Sequence, residues 1–466
     1  MTGRNVAVIG GGLAGITAAI GLREAGFEVT MLEARPRLGG AATSFPRGDL
    51  VIDNGQHVFL RCCTAYQDLL ARLGVAGLVR VQQRFDITVL SPADPDGASG
   101  RAVPEVRTAR LRRTGLPGPL HLTRALAGYP LLAPAERLRV ARAALALRRV
   151  DAAARAADEV RLGEWLAARG QTERVRRLLW DLFIVSALNT AGDEASLALA
   201  ATVIKMALLG GRDAADIGMA QVPLGDLHDR AARAALGGLG VRVRLSARAE
   251  NVQRAPGGAL AVQLAEHPSE LVTADGVVLA VPPDQAGAVA GPLLAAAPGW
   301  RGLGSSPIVN VHVVYDRPVT DLPFAAAVGS PVQWVFDKSL QAGLPTGQYL
   351  AISLSAADDY IDMPVAELRK LFLPALERLL PSAAAGTVTD FFVTRERRAT
   401  FRQVPGTAAL RPGSATSVPG LVLAGAWTDT GWPDTMEGAV RSGHNAAQEL
   451  TRELAGKPVA LAEAAR

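Results

Sequence analysis

Three glycines in the opening turn constrain this chain more than any other feature. The run VAVIGGGLAGITAAI, residues 6–20, places Gly10, Gly12 and Gly15 in the spacing G-x-G-x-x-G. Residues 5–9 are an apolar run that reads as a buried parallel strand. Residues 13–25 then read as a helix stopped by Gly26, and 27–33 as a second strand ending in Glu33. In such a βαβ opening each glycine has its own duty. Gly10 permits the tight strand-to-helix turn, Gly12 lets the backbone approach a pyrophosphate, and Gly15 lets helix and strand pack closely. The anion lies at the helix N-terminus, against the amides of Leu13 and Ala14, where unpaired N–H groups and the dipole favour it. Glu33, eighteen residues past Gly15, is placed to bond a ribose hydroxyl, and its charge disfavours a 2′-phosphate.

The segment EARPRLGGAATSF follows, with Glu33, Ala34, Arg35, Arg37, Gly39 and Gly40. It resembles the second signature of the glutathione-reductase-type FAD fold, shared by amine oxidases and phytoene desaturases. That resemblance implies FAD, with the arginine and the glycine pair along its pyrophosphate and ribityl chain, and it adds Gly55 and Val252 to the cofactor set. The arginine that often follows the glycine pair is Ala41 here. Near the other end, LVLAGAWTDTGWPDTMEGAVRSGHNAA, residues 421–447, reads as a buried strand ending at Gly425, a polar loop and a helix from about Thr435. Gly438, Ala439 and Gly443 keep one helix face thin for a planar ligand. The amides of Thr435, Met436 and Glu437 would meet the flavin's O2 in related flavoproteins. The acid usually found after the strand's glycine is Ala426, which leaves backbone contacts and Asp429 as the candidate substitute acid.

A narrower likeness rests on IDNGQHVFL (52–60), QWVFDK (333–338) and WTDTGWPDTMEGAVRSG (427–443). Together these resemble the hydroxysqualene dehydroxylase family, the squalene-associated branch of the phytoene desaturase and amine oxidase superfamily. The resemblance covers nearly the whole chain. It implies reductive removal of an allylic hydroxyl in squalene and hopanoid synthesis, with hydride from reduced flavin. Such a reaction needs an acid for the leaving oxygen, support for an allylic cation and a long dry cavity. His57 is the candidate acid because imidazole titrates near neutral pH. Asn54 and Gln56 are candidates to bond the hydroxyl or the flavin edge, and Trp334, Trp427 and Trp432 offer π-faces to a cation. Asp53 is read as a brace for the turn at Gly55.

The expected fold class is α/β: the FAD-binding Rossmann unit interleaved with a mixed-sheet substrate domain and a helical lid. Residues 1–85, 215–300 and 405–460 are assigned to the FAD-binding domain, 86–118 and 301–404 to the substrate domain, and 119–214 to the lid. Residues 62–80 read as helix, 84–90 and 101–107 as a strand pair around the turn 91–100, and 241–281 as antiparallel strands. Residues 306–315 and 332–354 read as strands, 363–380 as helix and 388–394 as strand.

Other function classes lose ground on composition. Of 49 basic residues four are lysine, Lys205, Lys338, Lys370 and Lys457. The arginines are scattered and not interleaved with aromatics, so no nucleic-acid partner is expected. Cys62 and Cys63 are adjacent, a spacing that favours reduced thiols, and no metal site is expected. No run is apolar for long enough to span a bilayer, and the start has no signal pattern. The expected setting is cytoplasmic, with the segment 121–149 resting on the inner face of the membrane to receive an isoprenoid substrate. An unidentified electron donor must reduce the flavin. The competing readings are a carotenoid-type desaturase or isomerase, a flavin amine oxidase with Lys338 near the flavin, and a non-catalytic isoprenoid carrier suggested by Ala41 and Ala426.

Overall fold

The computed structural model describes residues 3–93, 105–266, 269–291, 293–294 and 299–455. Its opening is β1 (Asn5–Ile9), α1 (Leu13–Glu24) and β2 (Glu28–Leu32). These strands lie in a five-stranded parallel sheet of order Arg242–Arg244, β2, β1, Gly276–Leu279, Leu421–Leu423. Three distant stretches of chain therefore build one sheet. Its central strands are largely apolar past their first residues, as burial on both faces requires, and all four residues of Gly276–Leu279 are buried. The helix Met436–Ala455 crosses back against α1, with Gly21 facing Ala447.

A second sheet has seven strands in the order Val388–Thr400, Ser306–Tyr315, Gln348–Leu354, Trp334–Asp337, Phe324–Ala327, Asp86–Pro92, Val106–Arg112. All its pairings are antiparallel except that of Phe324–Ala327 with Asp86–Pro92. The helix Val365–Leu379 covers one face through Leu368, Phe372, Leu376 and Leu379. Helices fill the stretch between Leu120 and Leu208. The fold is thus a dinucleotide-binding α/β unit joined to a mixed-sheet unit.

Several expectations change at the level of elements. The stretch 241–281 is not a run of antiparallel strands: its first and last strands enter the parallel sheet, and only Ala249–Arg254, Leu260–Leu264 and Leu271–Ala274 form an antiparallel triplet. The helix expected over 62–80 ends at Arg72, and Val79–Val81 is a strand paired with Ile217–Ala220. Gly74, at φ +71, breaks it. The stretch 332–354 is interrupted by a turn of helix, Ser339–Ala342. The turn expected at 91–100 and the start of the strand expected at 101–107 lie largely outside the described residues; that strand is seen from Val106.

Candidate functional site

The glycine turn has the geometry its spacing predicts. Gly10 sits at φ +104, and a Cβ on it would stand 2.2 Å from the carbonyl oxygen of Ala280. A Cβ on Gly15 would stand 1.9 Å from the oxygen of Gly10, so helix and strand approach too closely for any side chain. Facing this turn is a second one, with Gly39 at φ +97 and Gly40 at φ +59. A Cβ on Gly40 would reach 2.9 Å from the Cα of Gly12. The Gly39 amide donates to the Gly11 oxygen at 2.9 Å. Glu33 stitches the two turns together: its carboxylate accepts from the Gly11 amide at 2.6 Å and from the Arg35 amide at 2.8 Å. Arg35 donates onward to the Gly40 oxygen at 3.3 Å.

Gly11, absent from the expected set, is as constrained as its neighbours, since a Cβ there would stand 2.4 Å from Leu38. The signal for it was the uninterrupted triplet of glycines. Residue Gly12 caps α1 in an extended conformation without any side-chain bond to the first turn. The amides of Leu13, Ala14 and Gly15 are therefore left without a side-chain cap at the cradle. A narrow gap between two backbone turns, with a helix N-terminus at its end, fits a pyrophosphate. Beside it, the Ala247 amide donates to the Glu33 oxygen at 2.8 Å, and the strand that follows carries Val252, whose side chain is fully buried in the core.

At the C-terminal element, Gly425 sits at φ +144 and donates its amide to Ser442 Oγ at 2.8 Å. Arg411, buried, donates to the Ala426 oxygen at 3.0 Å and to that of Thr428, which holds the loop from beneath. Asp429 does not replace the missing acid. Its carboxylate accepts from the Gly431 amide at 3.2 Å within its own turn. The carboxylate of Glu437, fully buried, turns to the helix Thr64–Arg72, where it accepts from Tyr66 N at 2.8 Å and Ala65 N at 3.2 Å. Only the backbone of Glu437 remains for a ligand, alongside Thr435 and Met436 in the first turn. The thin helix face also has another owner. A Cβ on Gly443 would stand 2.3 Å from the Ala14 oxygen and 2.7 Å from Thr17 Cβ, so this glycine admits α1 and not a planar ligand.

A cavity of about 820 Å³ lies between the Phe59–Leu60/Ile217–Ala220/Val79–Val81 strands and the seven-stranded sheet; of the remaining candidates, Asn54, Trp334, Trp427 and Trp432 stand outside its lining. Asp53, Gln56, His57, Phe336, Lys338 and Gln341 are among its lining. The hairpin strand Leu50–Asp53 delivers the motif residues to it. His57 Nδ1 lies 3.2 Å from the Gly55 oxygen, which fixes the proton on Nδ1 and leaves the Nε2 lone pair as an acceptor. Burial lowers the His57 pKa, with the Gly55 bond and Asp53 opposing and Lys338 adding to the fall. The ring is neutral at neutral pH, so an acid at this position works against its surroundings. Asn54 takes part in the scaffold: its Oδ1 accepts from the Thr43 amide at 3.3 Å and its carbonyl from Asn310 Nδ2 at 3.2 Å. The buried Gln56 Nε2 and Asn310 Oδ1 have no protein partner, the mark of groups that await a ligand.

The aromatic candidates divide. Trp334 stacks on Phe336, ring centroids 6.2 Å apart, and donates its indole N–H to Ser186 Oγ at 2.7 Å. This tethers the sheet to the helix Asp181–Leu188 beside the cavity. Trp427 is a core residue and offers no open face: it is 4% exposed, its indole donates to the Val281 oxygen at 3.0 Å, and its ring packs 5.3 Å from that of Trp300. Trp432 already has a cation, with the Arg441 guanidinium 4.9 Å from its ring centroid. Asp53 does not brace Gly55. Its carboxylate accepts from Ser44 Oγ at 2.7 Å and the Leu224 amide at 2.9 Å, and pairs with Lys338 Nζ at 3.0 Å. No cluster of His, Cys, Asp and Glu suited to a metal occurs among the described residues.

Comparison with known proteins agrees with this cradle. The family described as flavin-containing amine oxidoreductase matches residues 13–451. A hydroxysqualene dehydroxylase of Sinorhizobium fredii is 31% identical over 454 residues, covering 95% of this chain and 97% of the relative. Another from Rhodopseudomonas palustris is 30% identical, again covering 95% and 97%. A 15-cis-phytoene desaturase of Narcissus pseudonarcissus is 26% identical, covering 97% of this chain and 80% of its own. Among solved structures, putrescine oxidase bound to putrescine superposes with TM-score 0.68 at 20% identity, covering 96% of this chain and 99% of the other. An oxidoreductase from Methanosarcina mazei gives 0.72 at 16% identity, covering 95% and 100%. These two establish the fold, and the sequence relatives establish the lineage. The chain belongs to the flavin-containing amine oxidoreductase family, on the branch that holds its hydroxysqualene dehydroxylase relatives, and is an FAD-dependent oxidoreductase.

Proposed function

We propose that this enzyme reductively removes the hydroxyl group of hydroxysqualene or a closely similar allylic isoprenoid alcohol. The observation that carries this reading is the cavity where two of the three resemblance motifs, 52–60 and 333–338, meet: Asp53, Gln56 and His57 on one wall, Phe336 and Lys338 on the other. Residues Gly10, Gly12, Leu13, Ala14, Gly15, Arg35, Gly39 and Gly40 would hold the nucleotide half of FAD, with Glu33 bracing the two turns. Gly55, Val252, Gly425, Ala426, Thr435, Met436 and Glu437 would offer backbone to its remainder. When bound, FAD supplies hydride transfer.

The chain's own residues bind and orient the alcohol. Gln56 Nε2, buried and unpaired, is free to donate to the hydroxyl oxygen, and neutral His57 Nε2 is free to accept its proton in a hydrogen bond. Phe324 and Phe336, backed by Trp334, form an aromatic wall whose faces suit a polyene and a developing cation. A second reading is supported by the phytoene desaturase relatives, in which the same cavity would take a hydrocarbon and the flavin would run oxidatively. An electron donor that refills the flavin and a peripheral contact with membrane belong to the first reading. No helix among the described residues is long and apolar enough to cross a membrane.

The test is anaerobic incubation of the flavin-loaded protein with chemically reduced FAD and hydroxysqualene, against phytoene under oxygen. Squalene from the first incubation and no desaturated product from the second is the expected result. The reverse pattern selects the desaturase reading.

A further inference from the structure

Resting on that reading, we infer that the proton for the departing hydroxyl comes from Lys338, and that Asp53 is the counter-ion of the cation left behind. The chemistry requires an acid inside the cavity, and His57 is poorly placed to be one. Its Nδ1 proton is committed to the Gly55 oxygen, and Nε2 carries the lone pair. Other cationic side chains in the lining are Arg80, Arg84 and Arg112, all solvent-exposed at the rim, with Arg112 paired to Asp86 at 3.2 Å. Lys338 differs from them. Its side chain is 13% exposed and spans from the end of strand Trp334–Asp337 to Asp53. Its backbone is pinned, the amide donating to the Tyr349 oxygen at 2.9 Å. An ammonium has three N–H donors, and Asp53 engages one side of it, leaving donors for the cavity.

The Asp53 carboxylate is loaded unevenly. One oxygen accepts from both Ser44 Oγ and the Leu224 amide, while the other meets only the Lys338 ammonium. That arrangement keeps electrical balance through the step. Before reaction the pair is neutral overall. The C–O bond breaks with its electron pair going to oxygen, the Lys338 proton joins that oxygen, and water departs. The allylic carbon becomes a cation just as Asp53 loses its partner, so the buried anion faces the new positive charge. FAD, when bound and reduced, would supply the hydride that closes the carbon, and Lys338 regains a proton from solvent. Net, an alcohol, a hydride and a proton become a hydrocarbon and water.

Ionisation can be read apart from reduction. With oxidised FAD bound there is no hydride to transfer, and reversible C–O cleavage appears as loss of 18O from labelled hydroxysqualene into water. We expect the unaltered enzyme to exchange the label with oxidised flavin and to form squalene with reduced flavin. Lys338→Met should lower both rates about 10²–10⁴-fold, the usual worth of a general acid, while FAD uptake and its visible spectrum persist. Lys338→Arg, which keeps the ion pair but cannot release a proton near neutral pH, should fall nearly as far. Exchange at the original rate in a folded, flavin-loaded Lys338→Arg or Lys338→Met protein overturns the assignment of Lys338 and leaves the proposed reaction standing. An unaltered enzyme that binds FAD yet neither exchanges label nor forms squalene overturns the reaction and this inference with it.

Discussion

Asp434 shows how one side chain in the C-terminal motif can set a pH dependence. It stands just before the helix Met436–Ala455, and burial raises its pKa to about 6, an effect opposed by the Phe401 amide bond and by Arg411. A carboxyl group whose pKa is higher folded than unfolded binds its proton more tightly in the native state. It therefore favours the fold fully below its unfolded value, and that contribution is lost as pH rises through about 6. In Asp434→Asn this titration is gone. The difference in melting temperature between the two proteins should change between roughly pH 4 and pH 6, the unaltered protein losing stability relative to the variant as pH rises. A difference curve that stays flat across that window removes Asp434 from the account. Glu437 acts through its bonds. It is fully buried but accepts two amides and pairs with Arg441 at 2.7 Å. Glu437→Ala leaves two helix-end amides unpaired, so it should cost about 1–3 kcal/mol by denaturant titration.

Gly443 belongs to the next scale, because it sets how closely two helices meet. A side chain there collides with the backbone oxygen of Ala14, in the first turn of α1. Gly443→Val should push the helices apart, lower stability by about 1–3 kcal/mol as overpacking does, and weaken FAD uptake because α1 carries the cradle. Unchanged affinity for FAD in a destabilised protein would separate packing from binding. The same residue shows where sequence reading stops. Gly10, Gly12 and Gly15 were legible because their spacing in one strand-to-helix turn is a pattern in itself, even though a Cβ on Gly10 would meet Ala280 far along the chain. Gly443 looked like a ligand-facing glycine because its true neighbour, α1, lies more than four hundred residues away along the chain. Glu437 hid for the same reason, as its partners are Ala65 and Tyr66. A three-residue strand such as Arg242–Arg244 carries no mark of parallel or antiparallel pairing. The motif at 53–57 pointed to the cavity, yet which side chain faces it depends on Gly55 and on Lys338 arriving from the other sheet.

At the scale of the whole molecule, an isoprenoid must travel from wherever it dissolves to a cavity enclosed by two sheets. The helical stretch between Leu120 and Leu208 offers a surface for taking it up. Helix Pro134–Leu147 buries Val140, Ala143 and Leu147, and its outer side carries Leu138, 54% exposed, and Leu145, 51% exposed, seven residues apart. Arg139, Arg142, Arg148 and Arg149 are exposed alongside them. Two leucines one helical repeat apart amid arginines suit an anionic bilayer, where apolar burial and headgroup attraction act together. The pattern also suits a plain solvated face, and the two differ in a measurable way. Bound fraction in sedimentation with phosphatidylglycerol-containing vesicles should fall several-fold for the double variant Leu138→Ser/Leu145→Ser, and should fall for the unaltered protein as salt rises. Turnover of hydroxysqualene offered in vesicles should drop in that variant, while turnover of detergent-dispersed substrate should not, because the cavity itself is untouched. Equal sedimentation of both proteins would leave the helix a solvated face and place the entry of substrate elsewhere.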